Sequence, residues 1–178
     1  MDRLNKLPLY MGLFIFVGAV LLSAVKVGSE KSALLVNRSN AAQSGAKLSL
    51  TFTKPNTVSV TLNSDSTVGG IDVVVKYDKS KLSILPSTLR AGSDSFITTG
   101  GIIDSNNGTF KFSALTKSGI KDGIVANFNV VPNANQKEAD TQLQLVPSGS
   151  GGSNVIDKAT TQNILNSVNG VEMIVTVK

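Results

Sequence analysis

In the stretch GIKDGIVANFNVV, residues 119–131, a Lys-Asp-Gly turn is followed by strict alternation, with Ile124, Ala126, Phe128 and Val130 on one side of an extended chain and Asn127 and Asn129 on the other. Such period-two alternation belongs to a strand that packs one face on a core and turns the other to water or a partner. The pattern recurs along the chain. LSLTF (48–52) and VSVTL (58–62) flank Lys54-Pro55-Asn56, with Val58, Val60 and Leu62 alternating with Ser59 and Thr61. GIDVVVKY (70–77), LSIL (82–85), SFITTGGII (95–103), TFKFSAL (109–115), GIVANFNVV (123–131), TQLQLV (141–146) and GVEMIVTV (170–177) follow. Residues 157–168 carry little alternation, and a short helical turn is expected there. Asn107-Gly108, between two strand-like runs, predicts a type I′ hairpin turn. Nine strands at this spacing, with no amphipathic helix among them, predict an all-β fold, a nine-stranded β-sandwich with jelly-roll topology.

One segment breaks the pattern. Residues 7–25, LPLYMGLFIFVGAVLLSAV, hold no charge over 19 positions. As a helix rising about 1.5 Å per residue this run spans roughly 28 Å, the thickness of a bilayer core. Pro8 sits in the first turn, where its missing N–H costs nothing, and Arg3 and Lys6 in residues 1–6 form a short basic cytoplasmic flank. The sandwich is therefore expected behind one N-terminal transmembrane helix, with the β-domain extracellular. The segment reads either as a retained anchor or as an export signal. Its length exceeds that of a cleaved signal, and Leu22-Ser23-Ala24 is a poor cleavage site. Residues 26–45 are rich in Ser, Asn and Ala, as a stalk would be, and residues 46–178 form the domain.

Absences narrow the chemistry. The 178 residues include no Cys, no His and no Trp. Disulfides, thiolate nucleophiles, Ser-His-Asp triads and the usual transition-metal sites are thereby excluded. Carboxylates and lysines remain, but nearly every Asp sits in a turn signal, so no catalytic residue is assigned and the chain is read as a non-enzyme. The net charge of +5 comes from lysines scattered singly without aromatic interleaving, which does not suit nucleic acid. DSNNGT (104–109) lacks the acidic ligands of an EF-hand loop, so no metal site or cofactor is assigned.

Two stretches carry a family likeness. GGIDVVVKYDKSKLSIL, a strand ending in Tyr-Asp with a polar turn and a short strand after it, resembles the third-to-fourth strand region of cohesin domains. GTFKFSALTKSGIKDGIVANFNV resembles a later cohesin segment, and GVEMIVTV the family's last strand. The resemblance covers about residues 46–178 and is shared in part with carbohydrate-binding modules of the same jelly roll. It implies a non-catalytic module that docks dockerins, small calcium-loaded helical partners, through one flat face, so that any calcium is brought by the partner. Asp72 occupies a position where enzyme-docking cohesins often carry Asp or Asn. On a preserved face, Asp72 and Val74 would point outward with Lys111 and Ser113. Asp72 would then accept hydrogen bonds from the partner and Val74 would supply apolar area. The plain alternative is a solvated Asp72 and a Val74 covered by a loop.

Two other classes stay open. A carbohydrate-binding module would grip sugar rings on exposed aromatics. The domain's aromatics, Phe52, Tyr77, Phe96, Phe110, Phe112 and Phe128, fall mostly at inward positions, which leaves only a soluble glycan held through Asn, Asp and Lys. A pilin-like or surface-layer subunit shares the plan of an apolar helix before a β domain, but the pilin processing site with its glutamate is missing from LYMGLFIF.

Overall fold

The computed structural model describes residues 45–53, 55–133 and 138–176, all within one compact unit, Ser44–Lys178. The expected membrane helix at residues 7–25 and the stalk before Gly45 lie outside the described residues. Ten strands are present among them: β1 (Ala46–Thr53), β2 (Thr57–Tyr77), β3 (Leu82–Ala91), β4 (Phe96–Thr98), β5 (Ile102–Asp104), β6 (Thr109–Pro132), β7 (Glu138–Leu145), β8 (Asn154–Asp157), β9 (Leu165–Asn169) and β10 (Val171–Thr176). The described residues contain no helix. The all-β expectation therefore holds, with ten strands in place of nine.

The strand boundaries differ from the expectation for a physical reason. β2 and β6 are single strands of 21 and 24 residues, each covering two of the expected segments. They run antiparallel along their whole length, from Thr57 opposite Asn129 to Lys76 opposite Thr109. Between Asn63 and Val68 the register shifts, so that β2 takes five steps while β6 takes two, from Asp122 to Ile120; between Val68 and Gly70 the surplus changes sides, and β2 takes two steps while β6 takes five, to Leu115. Extra residues on one strand bend it and sharpen its twist. The bend passes both strands from one layer of the sandwich to the other. The Lys-Asp-Gly sequence at 121–123 thus lies within β6 at the bend and does not separate two strands.

The first layer runs β9, β1, residues 57–63 of β2, residues 123–132 of β6, then β3. The second contains β10, β7 and β8, residues 68–77 of β2, residues 109–120 of β6, then β4 and β5. Between them lies an aliphatic core with phenylalanines at its centre. Phe110 of the second layer and Phe128 of the first are both fully buried, with ring centroids 5.1 Å apart at 58°, and Phe112 stands 5.7 Å from Phe110. Among the described residues the core side chains run from Ala46 to Val175.

Four local expectations are corrected. Ile124 faces solvent at 42% exposure, because Thr61 pairs with Ile124 and Val60 with Ala126, and the skipped Val125 turns into the core. The asparagines of the same strand spend their side chains inside the sheet: Ser59 Oγ donates to Asn127 Oδ1 at 2.6 Å and Thr57 Oγ1 to Asn129 Oδ1 at 3.1 Å. The Asn107-Gly108 turn is a four-residue loop, since Asp104 pairs with Thr109. A type I′ turn needs positive φ at both central residues, whereas here Gly108 alone has it, at +61°. Residues 157–168 hold no helix; an Asp157-capped turn leads into β9.

Candidate functional site

Residues 68–77 of β2 and 109–120 of β6 form the middle of the second layer. Alternation buries Ile71, Val73 and Val75 with Phe110, Phe112 and Ala114, which leaves Asp72, Val74, Lys111, Ser113 and Leu115 on the outer side. Register then pairs Asp72 with Ser113, Val74 with Lys111 and Gly70 with Leu115. The four residues singled out in the sequence therefore share one face as a two-by-two block.

Their environments differ. Asp72 and Lys111 are exposed. Ser113 Oγ donates to Asp72 Oδ1 at 2.6 Å, which fixes the carboxylate and leaves its second oxygen free for an incoming donor. Thr99 locks the serine in turn: Ser113 N–H donates to Thr99 Oγ1 at 2.9 Å, and Thr99 N–H to Ser113 O at 2.9 Å. Val74 is only 6% exposed. The loop between β7 and β8 covers it, with Val146 N–H on Val74 O at 2.8 Å and Val74 N–H on Ser153 Oγ at 3.0 Å. The expected apolar contribution of Val74 is thus spent within the domain, as the plain reading had it.

Three residues the sequence reading left out supply apolar surface instead. Ile97, Leu115 and Ile102 are 55%, 56% and 69% exposed. Ile97 pairs directly with Leu115, and Ile102 with Lys111. The signal was in the alternation itself: Leu115 shares the parity of Lys111 and Ser113, and of the adjacent Ile102 and Ile103 only one can point inward. A groove of about 290 Å³ lies over the block, walled by Thr99 and Gly100 on one side and Gly151, Gly152 and Asn154 on the other. Gly100 and Gly151 have open space where a Cβ would be, so both walls present bare backbone to whatever approaches.

Among the described residues none sets an exposed aromatic ring on this face. Phe96, Phe110, Phe112, Phe128 and Tyr77 are buried and Phe52 is partly buried. Among the described residues no cluster of three or more carboxylates is placed to hold a metal ion.

Searches by sequence find no matching family model and no matching curated protein. Solved structures do match. A type II cohesin domain from the cellulosome of Acetivibrio cellulolyticus superposes with a TM-score of 0.55 at 14% identity, over 72% of this chain and 95% of that one. The fold is that of a cohesin. A chain of the type I cohesin–dockerin complex of Clostridium thermocellum gives a TM-score of 0.54 at 12% identity, over 77% of this chain and 97% of that one. The non-cellulosomal cohesin of the archaeon Archaeoglobus fulgidus also gives 0.54 at 12% identity, over 75% and 92%. The cohesin likeness therefore spans nearly the whole of each of these structures, and it is a likeness of fold.

Proposed function

We propose that residues 46–178 are a non-catalytic docking module of cohesin type, which binds a dockerin-like protein on the outer face of its second layer. The observation that carries this reading is the coincidence of a cohesin fold with one face that combines a fixed carboxylate, a free ammonium and exposed aliphatic side chains. A buried apolar centre with a few placed polar groups is the anatomy of a protein-recognition surface. In this reading the apolar run at residues 7–25 holds the module at the outer side of a membrane, and the stalk sets its reach. Clustering of several copies would then strengthen a weak individual interaction.

The test is affinity capture. Residues 46–178 are immobilised, a native extract is passed over them in calcium, and bound protein is eluted with chelator. Recovery of a protein with paired Asp/Asn-rich calcium loops supports dockerin-type docking, and Asp72→Ala then weakens retention. Retention of an extracellular glycan in place of any protein overturns it in favour of a carbohydrate-binding module. Retention of neither favours a structural subunit.

A further inference from the structure

At one end of the second layer β2 and β7 part. Their last pair is Tyr77 with Leu143, although β7 extends back to Glu138. Asp78 folds into a turn whose carbonyl oxygen accepts from Lys81 N–H and Leu82 N–H, both at 3.1 Å, and the chain crosses to the first layer, where Leu82 pairs with Pro132. Among the described residues, β7 from Asp140 to Gln142 is thus left without a strand on its β2 side, while β10 still pairs with its other side. Lys81 holds one corner of the opening, its Nζ donating to Asp140 O at 3.0 Å.

The notch so formed has a volume of about 350 Å³, at the small end of the range for ligand pockets. Its lining is rich in donors. Lys76 and Lys81 bring two ammonium groups, against the single carboxylate of Asp78. Gln144 Nε2 donates to Gln142 Oε1 at 2.7 Å, which orients the pair and leaves Gln142 Nε2 to donate and Gln144 Oε1 to accept. Asp140 O and Val146 N–H both point toward β2, so by the alternation of the strand Gln142 N–H faces the notch as well. Thr141 and Tyr77 add hydroxyls, and burial raises the pKa of the Tyr77 hydroxyl, which stays an O–H donor. Asp78 Oδ1 is taken by Ser80 N–H at 2.9 Å and the Ser80 hydroxyl at 2.6 Å, so Oδ2 is the oxygen left for a ligand.

Two ammonium groups beside amide donors suit a carboxylate, and a carboxylate oxygen beside an amide oxygen suits hydroxyl groups. A neutral sugar would leave both ammonium groups unused, and an apolar side chain would find no aliphatic wall among the lining residues. We propose that this notch binds a sugar acid of the hexuronate type, with its carboxylate between Lys76 and Lys81 and its ring hydroxyls on Asp78, Gln144 and Thr141. The site shares no residue with the Asp72, Val74, Lys111 and Ser113 block and does not rest on the docking reading.

The test is a titration of sodium galacturonate into the isotope-labelled full chain, kept in solution with a zwitterionic detergent and followed by amide chemical shifts. The expected result is saturable movement at Tyr77, Thr141 and Gln142 with a dissociation constant on the order of 1 mM, weakened by added salt. Lys76→Met and Lys81→Met each weaken binding about tenfold or more, Lys76→Arg retains it, and Lys111→Met on the docking block leaves it unchanged. Trigalacturonate binding more tightly than the monomer assigns the site to an acidic polysaccharide, and equal binding assigns it to the free acid. Absence of saturable movement up to about 50 mM overturns the site. Glucose binding as tightly as galacturonate overturns the acid assignment, and acetate doing so overturns the sugar assignment. Movement lost in Lys111→Met but kept in Lys76→Met overturns the location. The docking reading stands or falls separately, on its own capture experiment.

Discussion

Phe110 and Phe128 belong to one strand, eighteen positions apart, yet their rings meet at 5.1 Å across the core. The contact exists because β6 passes from one layer to the other at the Gly119–Gly123 bend, where both glycines have positive φ. Two residues of the same strand thereby pin the two layers together. Phe128→Ala and Phe110→Ala each remove a fully buried ring and are expected to cost about 3–5 kcal/mol. Urea unfolding of residues 44–178 measures this, and a loss below about 1 kcal/mol would show that the layers are held elsewhere.

Gly108 and Gly100 make a contrasting pair. Gly108 has φ +61°, and a Cβ there would stand 2.8 Å from Tyr77 O, whose own N–H is bonded to Gly108 O at 2.9 Å. Gly108→Ala is expected to destabilise by more than about 1 kcal/mol. At Gly100 a Cβ meets nothing within 4 Å, so Gly100→Ala is expected within about 0.5 kcal/mol of the parent in thermal melts. Because Gly100 walls the groove, the same substitution should still reduce partner binding.

The loop over Val74 hangs on a buried hydroxyl. Ser153 is fully buried, and its Oγ is the acceptor for Val74 N–H. Ser153→Ala leaves that donor unpaired, at a cost of about 1–3 kcal/mol. Amide exchange at Val74 should accelerate selectively, while exchange at Val73 and Val75 stays slow.

Acid stability rests on hydrogen-bonded carboxylates. Asp157 accepts from Thr160 N–H at 2.7 Å, from the Thr160 hydroxyl at 2.9 Å and from Ala159 N–H at 2.9 Å. These bonds, Thr160's first, hold its carboxyl below the ordinary carboxylate value. Asp78, through Ser80, and Asp104, through Asn107, are lowered in the same direction. A folded-state value below the unfolded one means stability that is fully present above the ordinary range, near pH 4, and lost as pH falls through the folded values. With no histidine in the chain, melting temperature should be flat from pH 6 to 8 and fall below pH 4. Asp157→Asn, which keeps an acceptor oxygen, should flatten the acid slope.

What the sequence made legible was local. The inward parity of Ile71, Val73 and Val75 and of Phe110 and Phe112 could be read directly, as could the outward parity that puts Asp72, Lys111 and Ser113 on one face. What it hid was set by pairing between distant segments. β2 and β6 looked like four strands because the polar run at 63–67 and the glycines at 119 and 123 carry ordinary turn signals; only their mutual register shows that they mark a bend. Ile124 was assigned inward because the extra residue Val125 is visible only against Val60 and Thr61. The covering of Val74 depends on Ser153, 79 residues away, and β8 is too short to announce itself by alternation.

The measurement that most directly tests the docking face is a comparison of substitutions on the two layers. Calorimetric titration of the partner recovered by calcium-dependent capture would use the parent domain, Leu115→Lys and Asp72→Lys on the second layer, and Ser59→Lys on the first. The account predicts a loss of roughly a hundredfold or more, about 2.7 kcal/mol, for the first two, with Ser59→Lys unchanged. Full affinity in Leu115→Lys and Asp72→Lys, or a loss confined to Ser59→Lys, would place the interaction on the other layer and contradict it.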